Sequence, residues 1–180
     1  MLSDPLPTLL DARKAAARGA AVSGVLQPSN LPRFQALLAG DEGRIEAQLA
    51  FNRDEENRPV VSVEVSAQVQ VTCQRCLQPM PLALNGAARL GIVWTDEQAR
   101  HLPRDLDPLV VGEEGCNLWD IVEEELILLM PPYSYHETQD CKQILSEYSA
   151  DVEPPMEPAP EKPNPFAVLA QLKQDEEPRS

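Results

Sequence analysis

Between residues 43 and 94 the chain alternates apolar and polar side chains with a period of two. Ile45, Ala47, Leu49 and Phe51 share one side of the first run, with Arg44, Glu46 and Gln48 on the other. After a polar turn at 52–58, Val61, Val63, Val65, Ala67, Val69 and Val71 alternate with Ser62, Glu64, Ser66, Gln68, Gln70 and Thr72. Leu82, Leu84, Ala88, Leu90, Ile92 and Trp94 carry the same rhythm onward. Strict alternation predicts antiparallel strands with one dry face and one wet face. The middle of the chain therefore reads as a meander of three long strands. Residues 22–26 and 109–111 read as short strands, the latter at the sheet edge.

Helical spacing flanks this core. Pro5 and Pro7 hold the first residues extended, and a brief helix follows before residue 18. A second helix is expected over 31–38, with Pro32 in its first turn and Leu31, Phe34, Leu37 and Leu38 on one face, stopped at Gly40. The strongest helix is 118–130. Asn117 caps it, apolar residues fall at 118, 121, 122, 126 and 129, and Pro131 and Pro132 end it. Asp120, Glu123, Glu124 and Glu125 are expected to face outward as a solvated surface. The fold class is thus α+β: an antiparallel meander sheet of long strands, covered on one face by helices.

The pattern fails after residue 150. Residues 1–150 form the expected single domain, and 151–162, rich in Pro and Glu, read as a flexible, disordered linker. Order potential returns in 163–180, where Asn164 can cap a short helix and Pro165 suits its first position. A helix this short needs a docking surface. Asn164, Pro165, Phe166, Leu169 and Leu172 are accordingly the candidate partner-binding residues.

Composition narrows the choice of partner. The 180 residues carry a formal charge of −14, which repels phosphate backbones and favours basic proteins. Residues 1–40 hold Arg13, Lys14, Arg18 and Arg33 against Asp4 and Asp11, a balance of +2, so a local basic patch is open there while the other 140 residues sum to −16. Aromatic content of 4% makes the core aliphatic. The first residues form no apolar signal core, and the longest apolar run, 126–130, is far short of a membrane span. The expected setting is cytoplasmic, with no membrane and no small-molecule substrate.

Cys73 and Cys76 stand at the tip between the second and third long strands. Cys73 continues the odd register of Val61 to Val71 and so points to the dry side; Pro79 and Pro81 are read as part of the turn. Three readings are open. In the first, Cys73, Cys76, His136 and Cys141 hold a structural zinc, because C-x-x-C and H-x-x-x-x-C supply two chelating pairs. In the second, the pair does thiol redox chemistry, although no helix N-terminus is expected beside it to lower a thiol pKa. In the bland reading Cys73 is a small buried hydrophobe, Cys76 a surface thiol and His136 a polar loop residue. No nucleophile elbow, phosphate-cradling glycine loop or Asp/His metal cluster is present, so an enzyme is not expected.

Three segments, in order, resemble one family. The segment VTCQRCL (71–77) resembles the cysteine knuckle of the YceD-type family, the large ribosomal RNA subunit accumulation proteins. VEEELILLMP (122–131), followed by His136 and Cys141, resembles that family's helix and proline stop. KPNPFAVLAQLK (162–173) is similar to its C-terminal motif in the gammaproteobacterial branch. The resemblance implies a non-enzymatic ribosome-biogenesis factor supporting synthesis, processing or stability of large-subunit (23S) ribosomal RNA. It carries over no catalytic residues, since the family has none established. Many relatives look richer in cysteine after the helix, where this chain offers one His and one Cys. With the acidic charge, the expected partners are basic ribosomal or ribosome-assembly proteins. The alternative is a zinc-knuckle module acting directly on rRNA precursors through the knuckle and the N-terminal cations.

Overall fold

The computed structural model describes residues 4–112, 115–137 and 141. The linker at 151–162 and the motif containing Asn164, Pro165, Phe166, Leu169 and Leu172 lie outside the described residues.

Elements follow in the order β1 (Leu9–Leu10), α1 (Ala12–Arg18), β2 (Ala21–Leu26), a 3-10 turn (Pro28–Asn30), α2 (Pro32–Gln35), β3 (Gly43–Arg53), β4 (Pro59–Thr72), β5 (Pro79–Val93), α3 (Asp96–Ala99), β6 (Asp107–Val110), β7 (Cys116–Asn117) and α4 (Leu118–Leu129). β2 to β6 form one sheet in sequence order, and β1 pairs with β7 in a small ribbon. The three long strands pair antiparallel in the register their alternation demands: Leu49 lies opposite Val63, and Val63 opposite Ala88. Every apolar residue of that phase in β3 and β4 is buried.

One edge differs from a pure meander. β6 pairs with β5 in parallel, Leu90 opposite Asp107 through Val93 opposite Val110. A parallel neighbour requires a crossover. Residues 94–106 supply it, with the Thr95 hydroxyl accepting from the Gln98 N–H at 3.3 Å to start α3. The crossover brings Leu102 over Gly91, where a Cβ would meet it at 2.8 Å, and Val60 and Val93 on this otherwise wet face are buried.

Pro79 and Pro81 are not turn residues, as their sequence suggests. They lie inside β5, opposite Thr72 and Gln70. The reason is topological: β6 covers β5 only at 90–93, so here β5 is an edge strand, where a missing N–H is tolerated.

The dry face is covered by α1, α2 and α4. Asn117 caps α4 as expected, its side-chain oxygen accepting from the Trp119 N–H at 3.1 Å. At Gly86 a Cβ would sit 2.5 Å from the Leu129 side chain, so glycine is what lets the end of α4 close on β5. Phe34 and Phe51 are wholly buried beneath this layer, each contributing about 1.5–3 kcal/mol by leaving water.

Two helical expectations change. The helix expected over 31–38 is α2 with only Pro32–Gln35 in α form; Leu37 and Leu38 continue in tighter turns, and Leu37 is exposed rather than buried. The Ala39 N–H instead donates to the Gln70 carbonyl at 2.8 Å, drawing the chain away from the helix axis. The second change is at Glu123, which points inward and is 5% exposed. Its Oε1 accepts from the backbone N–H groups of Arg33 at 2.7 Å and Phe34 at 3.2 Å. Leu31, at the N-cap of α2, has no side-chain acceptor to offer. Glu123 therefore caps α2 from another helix, satisfying donors that the local sequence cannot.

Glu123→Ala removes that acceptor and leaves two donors facing an apolar cavity, so unfolding stability should fall by about 1–3 kcal/mol. Glu123→Gln keeps an amide oxygen and should lose less. Urea melts of the two variants with matched slopes test the cap, and an unaltered midpoint for Glu123→Ala rules it out.

Candidate metal centre

The hairpin tip between β4 and β5 is built from Cys73 to Gln78. The Cys73 N–H donates to the Gln78 carbonyl at 2.9 Å, and the Leu77 N–H returns to the Cys73 carbonyl at 2.8 Å. Closing so tight a loop drives Leu77 into the left-handed region, at φ 60°. For a residue with a Cβ that costs about 1–2 kcal/mol. Leu77 nevertheless has 73% of its surface exposed and gains little by burial.

The register of β4 delivers Cys73 to the dry face, where it is fully buried. The loop after α4 reaches the same point because Pro131 and Pro132 end the helix there. It is tied to the hairpin by the Gln74 N–H donating to the Ser134 carbonyl at 2.9 Å. His136 follows, its backbone N–H 3.4 Å from Cys73 Sγ.

These constraints bring all four sequence-predicted ligands together. One donor atom from each of Cys73, Cys76, His136 and Cys141 lies within 4.8 Å of the others. Cys73 Sγ is 3.6 Å from Cys141 Sγ, and Cys76 Sγ is 3.3 Å from His136 Nδ1. A tetrahedral site with metal–sulfur bonds near 2.3 Å has sulfur–sulfur edges of about 3.8 Å. The cluster thus has the size of a four-coordinate site. The cysteines are free thiols. Cys76, expected in the bland reading to be a surface thiol, is 6% exposed.

The histidine is oriented for ligation. His136 Nε2 lies 3.2 Å from the Pro79 carbonyl oxygen, which can only accept, so Nε2 carries the proton. Nδ1 is then the lone-pair nitrogen, and it faces Cys76 Sγ. Such outer hydrogen bonds fix the tautomer and angle of a metal-binding imidazole.

The thiols are polarised in opposite directions. Burial is the largest influence on Cys73 and acts to raise its pKa. Backbone N–H groups of Cys76, His136 and Arg75 more than offset it, lowering the value to about 5. Burial raises Cys141 to about 11, reinforced by hydrogen bonds with Cys73 and Cys76. One sulfur is ready as thiolate, and its neighbour keeps its proton until something stronger displaces it. Three sulfurs and one imidazole are soft or borderline donors, and four of them fill a tetrahedron without an open position. The donor set suits a structural divalent metal ion.

The redox reading lacks the helix N-terminus it needs, since the cysteine pair lies between antiparallel strands; the lowered pKa of Cys73 comes from backbone N–H groups of the knuckle instead. The fourth cysteine, Cys116, is buried in β7 outside this cluster; burial and then the Asp120 charge raise its pKa to about 11. It packs as a small hydrophobe. The N-terminal cations do not converge on the knuckle. Arg13 stacks on Trp94 at 4.6 Å, Lys14 pairs with Asp11 at 2.9 Å, and Arg33 pairs with Glu124.

A feature beside the cluster escaped the sequence reading. Tyr133 and Tyr135 are stacked with an interplanar angle of 9°, and the Arg75 guanidinium lies 5.1 Å from the Tyr135 ring. Alternate tyrosines in a loop were its only signal; the pairing with Arg75 needs the hairpin and the loop to be docked.

Metal binding is expected at about one ion per chain, and Cys73→Ser or His136→Ala should reduce it several-fold. Because bound thiols must be deprotonated, uptake at pH 7 should release protons, and affinity should rise with pH while Cys141 remains protonated. Metal analysis with zinc, indicator-dye proton counts and melting with and without chelator check this. Proton-neutral binding, or a melting temperature indifferent to chelation, goes against the site.

Residues 61–173 match the family described as Large ribosomal RNA subunit accumulation protein YceD. The protein of that name from Haemophilus influenzae is 32% identical over 170 residues, covering 94% of this chain and 97% of its own length. No solved structure matches the chain.

Proposed function

We propose, from the premise that the chain belongs to the YceD family of large ribosomal RNA subunit accumulation proteins, that it is a non-enzymatic ribosome-biogenesis factor. It supports synthesis, processing or stability of 23S ribosomal RNA by binding basic ribosomal or ribosome-assembly proteins. Family membership supports the ribosomal role. The observation that carries the adaptor reading is the charge of −14, which opposes RNA over most of the surface and attracts basic proteins. The Cys73, Cys76, His136 and Cys141 cluster serves this scaffold as a structural zinc clasp. It joins the β4–β5 tip to the segment after α4, and its four protein donors leave no position for a reacting group.

In this reading the motif containing Asn164, Pro165, Phe166, Leu169 and Leu172 is the docking peptide. Among the described residues, no helix is long and apolar enough to cross a membrane.

One observation favours a second reading, a zinc-knuckle module that touches rRNA precursors directly. The Tyr133–Tyr135 stack, 67% and 45% exposed, with Arg75 against it, is a surface on which unpaired bases can stack.

Deleting residues 162–173 from the full chain should leave its melting temperature unchanged and abolish binding to purified large-subunit ribosomal proteins. Undiminished binding excludes the docking role of that motif. The RNA reading makes a different demand: affinity for single-stranded rRNA fragments that falls steeply with salt and drops about tenfold in Tyr135→Ala. Salt-insensitive or absent RNA binding eliminates it.

A further inference from the structure

A cleft of about 400 Å³ lies between the outer edge of β6 and helix α4. Its apolar surface includes Leu109, Ile121 and Leu128, and Val110 borders it along the strand. Leu128 is 76% exposed beside it. Its rim is acidic. Asp107 comes from β6, and Asp120, Glu124 and Glu125 come from α4. Among the described residues Glu124 pairs with Arg33 from the α2 side.

The backbone at the cleft is open as well. β6 is the last strand of the sheet, and among the described residues nothing pairs with its far side. The Val111 N–H donates to the Val93 carbonyl at 2.8 Å, toward β5. By the alternation of a strand, the N–H and C=O of Val110 therefore point away from the sheet. Pro108 has the same phase, so its missing N–H falls on the open side and leaves the ladder to β5 intact.

We infer that this cleft is a strand-addition site for an extended, basic and apolar segment of a partner protein. Such a segment would pair with the Val110 edge, lay apolar side chains on Leu109 and Leu128, and set Lys or Arg against the rim carboxylates. Backbone pairing gives such docking its affinity, and side-chain pockets give it register. Charge complementarity selects the occupant. Burial, then Asp107 and Glu124, raises the pKa of Glu125 above its ordinary value. Asp107, Glu124 and Glu125 repel one another across the rim, and an incoming cation offsets that repulsion. The same acids oppose edge-to-edge pairing with a second copy of this chain, which would bring like charges together. The partner class rests on the adaptor reading; the cleft and its preference for a basic strand do not.

The test uses the full chain and two synthetic peptides of equal charge, one alternating Lys and Val over ten residues, the other alternating Lys and Pro. The Lys–Val peptide should shift the amide resonances of Leu109, Val110, Ile121 and Leu128. It should bind at least about tenfold tighter than the Lys–Pro peptide, which cannot pair as a strand, and weaken with added salt. Val110→Pro removes only the outward donor and should cut affinity at least about fivefold at an unchanged melting temperature. Should that variant fail to fold, Leu128→Ser, at an exposed side chain, carries the same expectation. Equal binding of the two peptides, or shifts that map elsewhere on the sheet, overturns the site. So does a β6 edge that is already occupied, seen as amide shifts on deleting residues 151–180 or on dilution of a self-associated form.

Purified large-subunit ribosomal proteins separate this inference from the adaptor reading. If they bind the full chain and the variants equally well, the cleft fails and the adaptor reading stands. If none binds while the Lys–Val peptide still occupies the edge, the cleft stands and the adaptor reading fails.

Discussion

The register of β4 governs the rest of the structure. Its odd-numbered residues from Val61 to Val71 all face the dry side, paired with β5 throughout and with β3 as far as Val69. A slip of one residue would expose that entire row and bury Glu64 and Gln68, at a cost no local interaction can offset. The same phase decides where the strand delivers its last side chain. Cys73 is one step further in the odd series, so the force that hides the valines also hides the thiol. Core and candidate metal centre are therefore consequences of one alternation.

Much of this was legible before any coordinates. The three long strands, the Asn117 cap, the proline stop after α4 and the convergence of Cys73, Cys76, His136 and Cys141 follow from period, capping chemistry and ligand spacing. What was hidden depends on neighbours that are remote in sequence. Pro79 and Pro81 look like turn residues because proline is excluded from central strands, and nothing local announces that β6 stops short of them. Glu123 looks like one of a run of surface acids because its partners, the N–H groups of Arg33 and Phe34, lie about ninety residues earlier. The parallel pairing of β6 depends on the path of the 94–106 crossover, which carries no periodic signal.

The cluster and the helix cap solve the same problem in two places. α2 is too short to be stable alone, and Leu31 offers it no cap; Glu123 provides one from α4. The hairpin tip holds Leu77 in an unfavourable backbone conformation; the segment after α4 supplies Ser134, His136 and Cys141 to hold it. Both anchors come from α4 or the residues that follow it. The helix that covers the sheet therefore also fixes one element at each of two distant points, and a metal ion at the tip would make the second anchor far harder to open than hydrogen bonds alone.

That division leaves the acidic side of α4 free for another use. On a helix covering a sheet, the residues toward the core serve stability and those at the flank face whatever lies beside the sheet edge. Leu118, Val122 and Leu126 are fully buried, whereas Glu124, Glu125 and Leu128 line the β6 cleft. An exposed leucine beside repelling carboxylates contributes little to folding, and burial, then the Asp107 and Glu124 charges, hold the pKa of Glu125 above its ordinary value. The N–H and C=O of Val110 open onto the same edge, where water satisfies them until a strand pairs with them. An exposed leucine, repelling carboxylates and an unpaired strand edge at one place suit an occupant. A basic strand would cover the leucine, offset the carboxylates and pair with the edge together.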